Sequence, residues 1–371
     1  MKIARVTPFP LTLKMDEPQG TSQAMWTEIS ILMVKVETED GLVGWGEGLG
    51  RRAPGAYARI VEELLAPAII GEELSSIEAI WHRLYRLLSG KSGGMLLEAI
   101  AAVDIALWDA WGRALNQPIH RLLGSTGHEQ LDTYASSIGW DHEDVALRQT
   151  SQVLDWGFRQ IKVKLGAPVD KALARARLIR QTVGPDIRLM ADTNWAFDID
   201  DALKLARGLA ELNYDFLEEP IVPEDIEGYR ILASKSPIRL AAGESEHTAM
   251  GVASLISSRS VGLVQPNVTR SGGISETRKI TTLARAFHVK YAPHVGFSGA
   301  VCAAASLHLA AAANNFDTFE CMIFPNPFRD DVVREPPGDR RTLQGGQVLV
   351  PQGPGLGVEV NETVVRRLSQ H

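Results

Sequence analysis

Residues 160–194 read QIKVKLGAPVDKALARARLIRQTVGPDIRLMADTN. The two ends are short β-rich runs, Gln160 to Leu165 and Ile187 to Ala191, with a helical stretch between them. Strand, helix and strand in that order imply a right-handed crossover joining two parallel strands. Lys162 and Lys164 lie two apart on the first run, so on a strand they share one face while Ile161, Val163 and Leu165 take the other. Asp192 follows the second run directly.

The same texture continues to the C-terminal side. Phe216 to Leu217, Leu240 to Ala242, Val261 to Val264 and Val289 to Ala292 read as strands, and Asp200 to Leu212 and Glu276 to Phe287 are the clearest helices between them. A polar residue stands at the end of each strand: Lys164, Asp192, Glu218, Glu244, Asn267, His294 and Glu320, with gaps of 28, 26, 26, 23, 27 and 26 residues. Those gaps match one strand–helix unit. In a (β/α)8 (TIM-like) barrel the C-terminal ends of successive strands converge on one mouth. Near-equal spacing therefore gathers residues distant in sequence at one point.

Three consecutive members, Asp192, Glu218 and Glu244, are carboxylates. Brought together they repel and raise one another's pKa values, and a hard divalent cation resolves this. Oxygen ligation suits Mg²⁺, with Mn²⁺ as the alternative. Any one of them alone reads as a cap or surface residue; the barrel spacing of all three carries the inference. Glu219 is expected to point to the other side of its strand, which makes Glu218 the ligand. Lys164 reads as a base whose pKa is lowered by the neighbouring Lys162 and the metal; the bland alternative is a solvated edge strand. His294 follows Tyr291-Ala292-Pro293 at a strand end, a place that favours chemistry over a structural role. Glu320 is either an ordinary strand-end charge or a carboxyl that burial keeps protonated as a donor.

Towards the N-terminus, Ile31 to Val36 and Leu42 to Trp45 read as strands around an Asp40-Gly41 turn. Helical patterns follow at Tyr57 to Ala66, Ile77 to Leu88 and Met95 to Leu115. The 371 residues suit a barrel of about 250 residues plus a second domain. A net charge of -7 provides no basic field, so nucleic acid is not an expected partner. Cys302 and Cys321 make no disulfide framework. The start MKIARVTPFPLTL carries no signal-peptide pattern, and residues 300–313 are too short and polar to span a bilayer, so a cytoplasmic protein without membrane contact is expected.

The pieces Lys162-Val-Lys164, Ala191-Asp-Thr-Asn194, Leu217-Glu-Glu-Pro220, Gly243-Glu-Ser245, Gln265-Pro-Asn267 through Gly272-Gly273, Pro293-His294 and Phe319-Glu320 together resemble the enolase superfamily, in its mandelate racemase/muconate lactonizing enzyme family. The tail pieces Asn326-Pro-Phe-Arg329 and Gly353-Pro-Gly-Leu-Gly-Val358 resemble it too, so the likeness spans the chain. The resemblance implies an N-terminal α+β capping domain (1–128), a barrel (129–340), and a C-terminal tail (341–371) that returns to complete the cap. It implies cap loops, about Met15 to Trp26 and Gly48 to Pro54, that close over the mouth. Asn194, Arg270, Trp26 and Arg51 are the substrate-binding candidates; an Arg51–Arg52 fork suits a distal carboxylate. Lys164 as base on one face and His294 on the other follow from the resemblance, as does a homo-oligomer. The family pairs that histidine with an aspartate, whereas this chain has Asn267. An amide can orient imidazole but cannot stabilise imidazolium as a carboxylate does.

The expected chemistry is removal of a proton next to the carboxylate of a small molecule, through an enediolate. Acid-sugar dehydration or lactone cycloisomerisation is favoured; a racemase or epimerase is the alternative. A histidine-rich metallohydrolase lacks its His-x-His here, and a binding barrel without catalysis has only Asn267 in its favour.

Overall fold

The computed structural model describes residues 1–88, 90, 92–140 and 142–369. The chain opens with an antiparallel sheet of β1 (Ile3–Gly20), β2 (Met25–Thr38) and β3 (Val43–Leu49), in that spatial order. The sequence reading assigned no strand to β1, which contains Pro8 and Pro10. They are tolerated because β1 is an edge strand, where a missing N–H breaks no ladder on its outer side. The β2–β3 turn is made as expected: Gly41 takes φ +82°, and Thr38 N–H donates to Leu42 O at 3.0 Å.

Helix α1 (Pro54–Ile60) continues through a π turn at Val61–Leu65 into α2 (Ala66–Ile69), followed by α3 (Ile77–Tyr85), α4 (Gly94–Ala114) and α5 (Ile119–Leu122). The expected apolar stripe of α4 is buried, including Leu97, Ile100 and Leu107. Gly44, Gly46 and Gly48 alternate along β3 and let α4 lie directly on it; a Cβ at Gly46 would stand 1.8 Å from Ala102 O.

Eight parallel strands then form the barrel: β4 (Gln130–Ile138), β5 (Gln160–Lys164), β6 (Arg188–Asp192), β7 (Tyr214–Glu218), β8 (Arg239–Ala242), β9 (Leu263–Val264), β10 (Lys290–Tyr291) and β11 (Phe319–Met322). β11 pairs with β4, and a Tyr291–Phe316 bridge links β10 to the approach of β11, closing the ring. The helices between them are α6 (Glu143–Asp155), α7 (Val169–Val183), α8 (Ile199–Glu211), α9 (Ile226–Lys235), α10 (Thr248–Ser257), α11 (Gly273–Ala286) and α12 (Ala300–Ala312). After β11 comes only the short α13 (Pro327–Asp330); the tail then adds β12 (Gln347–Leu349), antiparallel to β4, and α14 (Glu362–Leu368), packed on β1. Tyr134, Met190, Phe216, Ala241, Leu263 and Ala292 fill the barrel interior, so the residues above them rest on an apolar floor. Among the described residues no helix is long and apolar enough to cross a membrane, and both cysteines are buried and free.

Buried carboxylates of the N-terminal region cap the helices of the barrel. Glu47 of β3 accepts from Gly299 N–H at 2.6 Å and Cys302 N–H at 3.0 Å, at the start of α12. Asp104 of α4 accepts from the N–H and hydroxyl of Ser275, at 3.0 and 2.6 Å, in the first turn of α11. Anionic groups at helix N-termini satisfy orphan donors and complement the dipole. Burial pushes both carboxyls up, each to about 7. The glycine pair 272–273 serves this contact: Gly273 takes φ +88°, and a Cβ there would meet an Asp104 oxygen at 2.3 Å.

Candidate active site

Strand register, not spacing alone, puts the polar series in one place. Lys164 is the Cα partner of Asp192, and Asp192 is the partner of Glu218, each the last residue of its strand. Glu244, Asn267 and His294 follow β8, β9 and β10 within three residues, and Glu320 lies in β11.

Lys162 is fully buried at the centre. Its ammonium donates to both Glu218 oxygens at 2.8 Å, lies 3.1 Å from Glu320 and 3.9 Å from Asp192, and sits 5.1 Å from the centre of the Tyr134 ring. Burial pulls its pKa down, but these carboxylates outweigh it and hold Lys162 well above the ordinary value, a fixed cation. Gln265 Nε2 adds a 2.6 Å bond to Glu218.

Lys164 donates to Asp192 and, at 3.0 Å, to Asn194 Oδ1, while Asn194 N–H donates to Asp192 Oδ1 at 3.0 Å. Burial and Lys162 lower the Lys164 pKa, yet Asp192 prevails and the net shift is upward. The spacing does not reveal that Asp192 lies in direct contact; the lowering expected from sequence needs the metal as well as Lys162.

For Glu320 the sequence left a strand-end charge and a protonated donor open. It accepts from Ser136 Oγ at 2.6 Å and from Val295 and Gly296 N–H at 2.7 and 3.0 Å, beside Lys162. Burial alone would raise its pKa, but Lys162 and these donors hold it well below the carboxylate range, which favours the charged form in this arrangement. Glu219 departs from regular strand geometry. Its backbone turns to φ +41°, so strand alternation no longer governs where its side chain points. Its carboxylate is buried, neither oxygen has a hydrogen-bond partner among the described residues, and burial with the charges of Glu244, Asp192 and Glu218 pushes its pKa well up.

Among the described residues no three of these side chains are set for one ion as they stand: Glu218 faces Lys162, Asp192 faces Lys164, and Glu244 Oε2 lies 3.2 Å from His294 Nε2. The donor set nevertheless suits a hard cation. Asp192, Glu218 and Glu219 are buried oxygen donors, Glu244 is mostly buried, and the two Glu219 oxygens are orphaned. Buried carboxylates without partners are costly unless they meet a cation.

The remaining candidates divide. Trp26 packs on Phe297 with ring centres 5.5 Å apart, and Gln23 Nε2 donates to Asn194 O at 2.7 Å, so the β1–β2 loop reaches the loops at the C-terminal ends of the strands. Arg270 Nη1 lies 3.4 Å from Ser245 Oγ, next to Glu244. Arg51, expected as half of a substrate fork, is engaged by a residue the sequence reading missed. Glu98 of α4 is buried and accepts from Arg51 at 3.0 Å and from Tyr57 hydroxyl at 2.6 Å, with Arg270 Nε at 3.5 Å and His247 Nε2 at 3.9 Å. A glutamate inside the apolar stripe of α4 was the available signal. Gln265 and Thr269 fall within the Gln265-to-Gly273 stretch, whose sequence reading assigned neither of them a role.

Glu98 ties α1 and α4 to two barrel loops, and its pH response is predictable. Burial pushes its carboxyl up, but His247, Arg51 and Tyr57 bring it down to about 2. A depressed acid contributes stability that is fully present above its ordinary value near 4.5 and is lost as pH falls towards about 2. The expected contribution is about 3 kcal/mol. Denaturant unfolding between pH 6 and 2 should show Glu98→Gln losing much of the acid-linked slope of the unmodified protein; equal slopes would assign acid lability elsewhere.

Residues 145–364 match the family model described as enolase C-terminal domain-like, and residues 5–124 match that of the mandelate racemase/muconate lactonizing enzyme N-terminal domain. The chain is 34% identical to a D-galactarolactone cycloisomerase of Agrobacterium fabrum, covering 97% of each chain. It is 30% identical to an arabinonate dehydratase of Saccharolobus solfataricus, over 91% of this chain and 90% of that one. The fold superposes on a racemase from Streptomyces coelicolor A3(2) with bound magnesium, at TM-score 0.90 and 27% identity, over 99% of each chain.

Proposed function

Because the chain belongs to the mandelate racemase/muconate lactonizing enzyme family of the enolase superfamily, we propose that it is a Mg²⁺-dependent lyase or isomerase that removes the proton next to the carboxylate of an acid sugar. The register that sets Lys164, Asp192 and Glu218 side by side at the ends of three adjacent strands carries this reading. Asp192, Glu218 and Glu244 would hold Mg²⁺ (or Mn²⁺), with Glu219 beside them. When bound, the ion supplies Lewis-acid stabilisation of the charge that develops on the substrate carboxylate.

Each side chain then has a distinct task. Lys164, released from Asp192 when that carboxylate holds the metal, would receive the carbon-bound proton at Nζ, and Asn194 Oδ1 aims that nitrogen. Lys162 remains a cation, held by Glu218 and Glu320, and faces the growing negative charge without a proton leaving it. The apolar floor of Tyr134, Met190 and Phe216 keeps water from below. His294 stands at the end of β10, across from Lys164 in the series. Loss of a β-hydroxyl from the enediolate gives dehydration, whereas loss of a lactone oxygen from the β-carbon opens the ring and gives cycloisomerisation. The names of the relatives, a cycloisomerase and a dehydratase, support both outcomes equally.

A panel of aldonates, aldarates and their lactones, incubated with Mg²⁺ in D₂O and followed by proton NMR, tests the proposal. At least one compound should lose its α-proton signal and yield a dehydrated or ring-opened product, and chelation should stop both. Tight binding of a sugar acid with no exchange at any α-carbon would favour the non-catalytic barrel instead.

A further inference from the structure

His294 is paired with an amide, and the direction of that hydrogen bond is decided two residues away. Asn267 Oδ1 accepts from Thr269 N–H at 2.9 Å and from Thr269 Oγ1 at 2.6 Å. A backbone N–H can only donate, so the amide atom facing Thr269 must be the oxygen. The NH₂ group is thereby turned to His294, with Nδ2 3.0 Å from Nδ1. An NH₂ group has no lone pair to offer, so it must donate, and His294 Nδ1 must accept. A neutral imidazole with an acceptor at Nδ1 carries its proton at Nε2. Glu244, whose Oε2 lies 3.2 Å from Nε2, is one of the carboxylates assigned to the metal, so the Nδ1 end alone carries the assignment. The ring is also boxed in: Gly296 takes φ +55°, and a Cβ there would stand 2.6 Å from His294 Cε1. The N–H groups of Val295 and Gly296 are tied to Glu320.

We propose that Thr269 is a positioning residue that, through Asn267, fixes neutral His294 as an N–H donor at Nε2. An aspartate in place of Asn267 would accept at Nδ1 and leave the Nε2 lone pair free to take a proton. In this chain that lone pair is absent from the His294 side. The His294 face can hydrogen-bond to a substrate oxygen or leaving hydroxyl, and it has no site to receive a carbon-bound proton. The consequence for catalysis rests on the proposed function; the polarity of the pair does not. On that function the chain is a one-base enzyme, with Lys164 taking the proton from one face.

The polarity is read without substrate. In protein labelled with ¹⁵N-histidine, long-range proton–nitrogen spectra distinguish a protonated ring nitrogen from an unprotonated one, and His294→Asn identifies the signals. The unmodified protein should show Nε2 protonated and Nδ1 bare, and Asn267→Asp should protonate Nδ1. Thr269→Val removes one of the two donors and should add a second His294 signal, which Thr269→Ser should abolish. A bare Nε2 in the unmodified protein, or no change in Asn267→Asp, overturns the assignment; a single unchanged signal in Thr269→Val removes the hydroxyl from it. With an acid-sugar substrate in D₂O, deuterium should enter from one face only, and Asn267→Asp should raise entry from the other by about tenfold or more. Failure of the panel described above would remove the catalytic consequence and leave the nitrogen spectra to decide the polarity.

Discussion

Asp192→Asn and Glu244→Gln are each expected to lower kcat/KM by on the order of 10²–10³ or more while leaving the fold intact. Both carboxylates stand at the mouth, and the barrel rests on the cores beneath and around it, so neither substitution removes packing. Asn and Gln keep the shape and lose the charge that a divalent cation needs. A readout independent of turnover accompanies the kinetics. Mg²⁺ bound only by the folded chain should raise stability by about 2.7 kcal/mol when present at 100 times its dissociation constant. Thermal unfolding with and without Mg²⁺ should show that shift in the unmodified protein and lose most of it in both variants. Full activity after exhaustive chelation would falsify the metal site.

Lys164→Ala is expected to cost on the order of 10²–10⁴ in kcat, with a much smaller change in KM, because the lost interaction belongs to proton transfer rather than to binding. Exchange of the α-proton in D₂O should disappear with it. The geometry separates this variant from its neighbour. Lys164 lies near the mouth, 12% exposed at its side chain, whereas Lys162 is 1% exposed and is bonded to Glu218 and Glu320. Removing Lys162 leaves buried carboxylates uncompensated, a loss of about 3–5 kcal/mol of stability. Lys162→Met would therefore be read first in unfolding, and only afterwards as a change in the base. An Lys164→Ala protein that still exchanges the α-proton at a comparable rate would transfer the base role elsewhere.

The mouth of the barrel was legible because two regularities act together. A strand–helix unit has a nearly constant length, and parallel strands keep their register, so a polar residue every 23 to 28 positions must return to the same end. Lys164, Asp192, Glu218, Glu244, Asn267, His294 and Glu320 lie in the strands, or within three residues of the strand ends, that this periodicity marks. The lengths of α4, α8 and α11 followed from apolar spacing to within a few residues.

Contacts between segments remote in sequence were decided only by the tertiary structure. β1 is a strand despite its prolines because it lies at an edge, which no local pattern declares. Arg51 looks like a free cation until α4 brings Glu98 against it. The charged form of Glu320 is favoured because Ser136, Lys162 and two backbone N–H groups converge on it from three other strand–loop units. Glu219 escapes the alternation that would have turned it away because its own backbone is left-handed. Residue types and their spacing determined which groups meet at the mouth. The protonation state, tautomer and direction of each hydrogen bond depend on the partner that packing supplies, because a carboxylate, an amide and an imidazole each take their character from the donors and charges within a few ångströms.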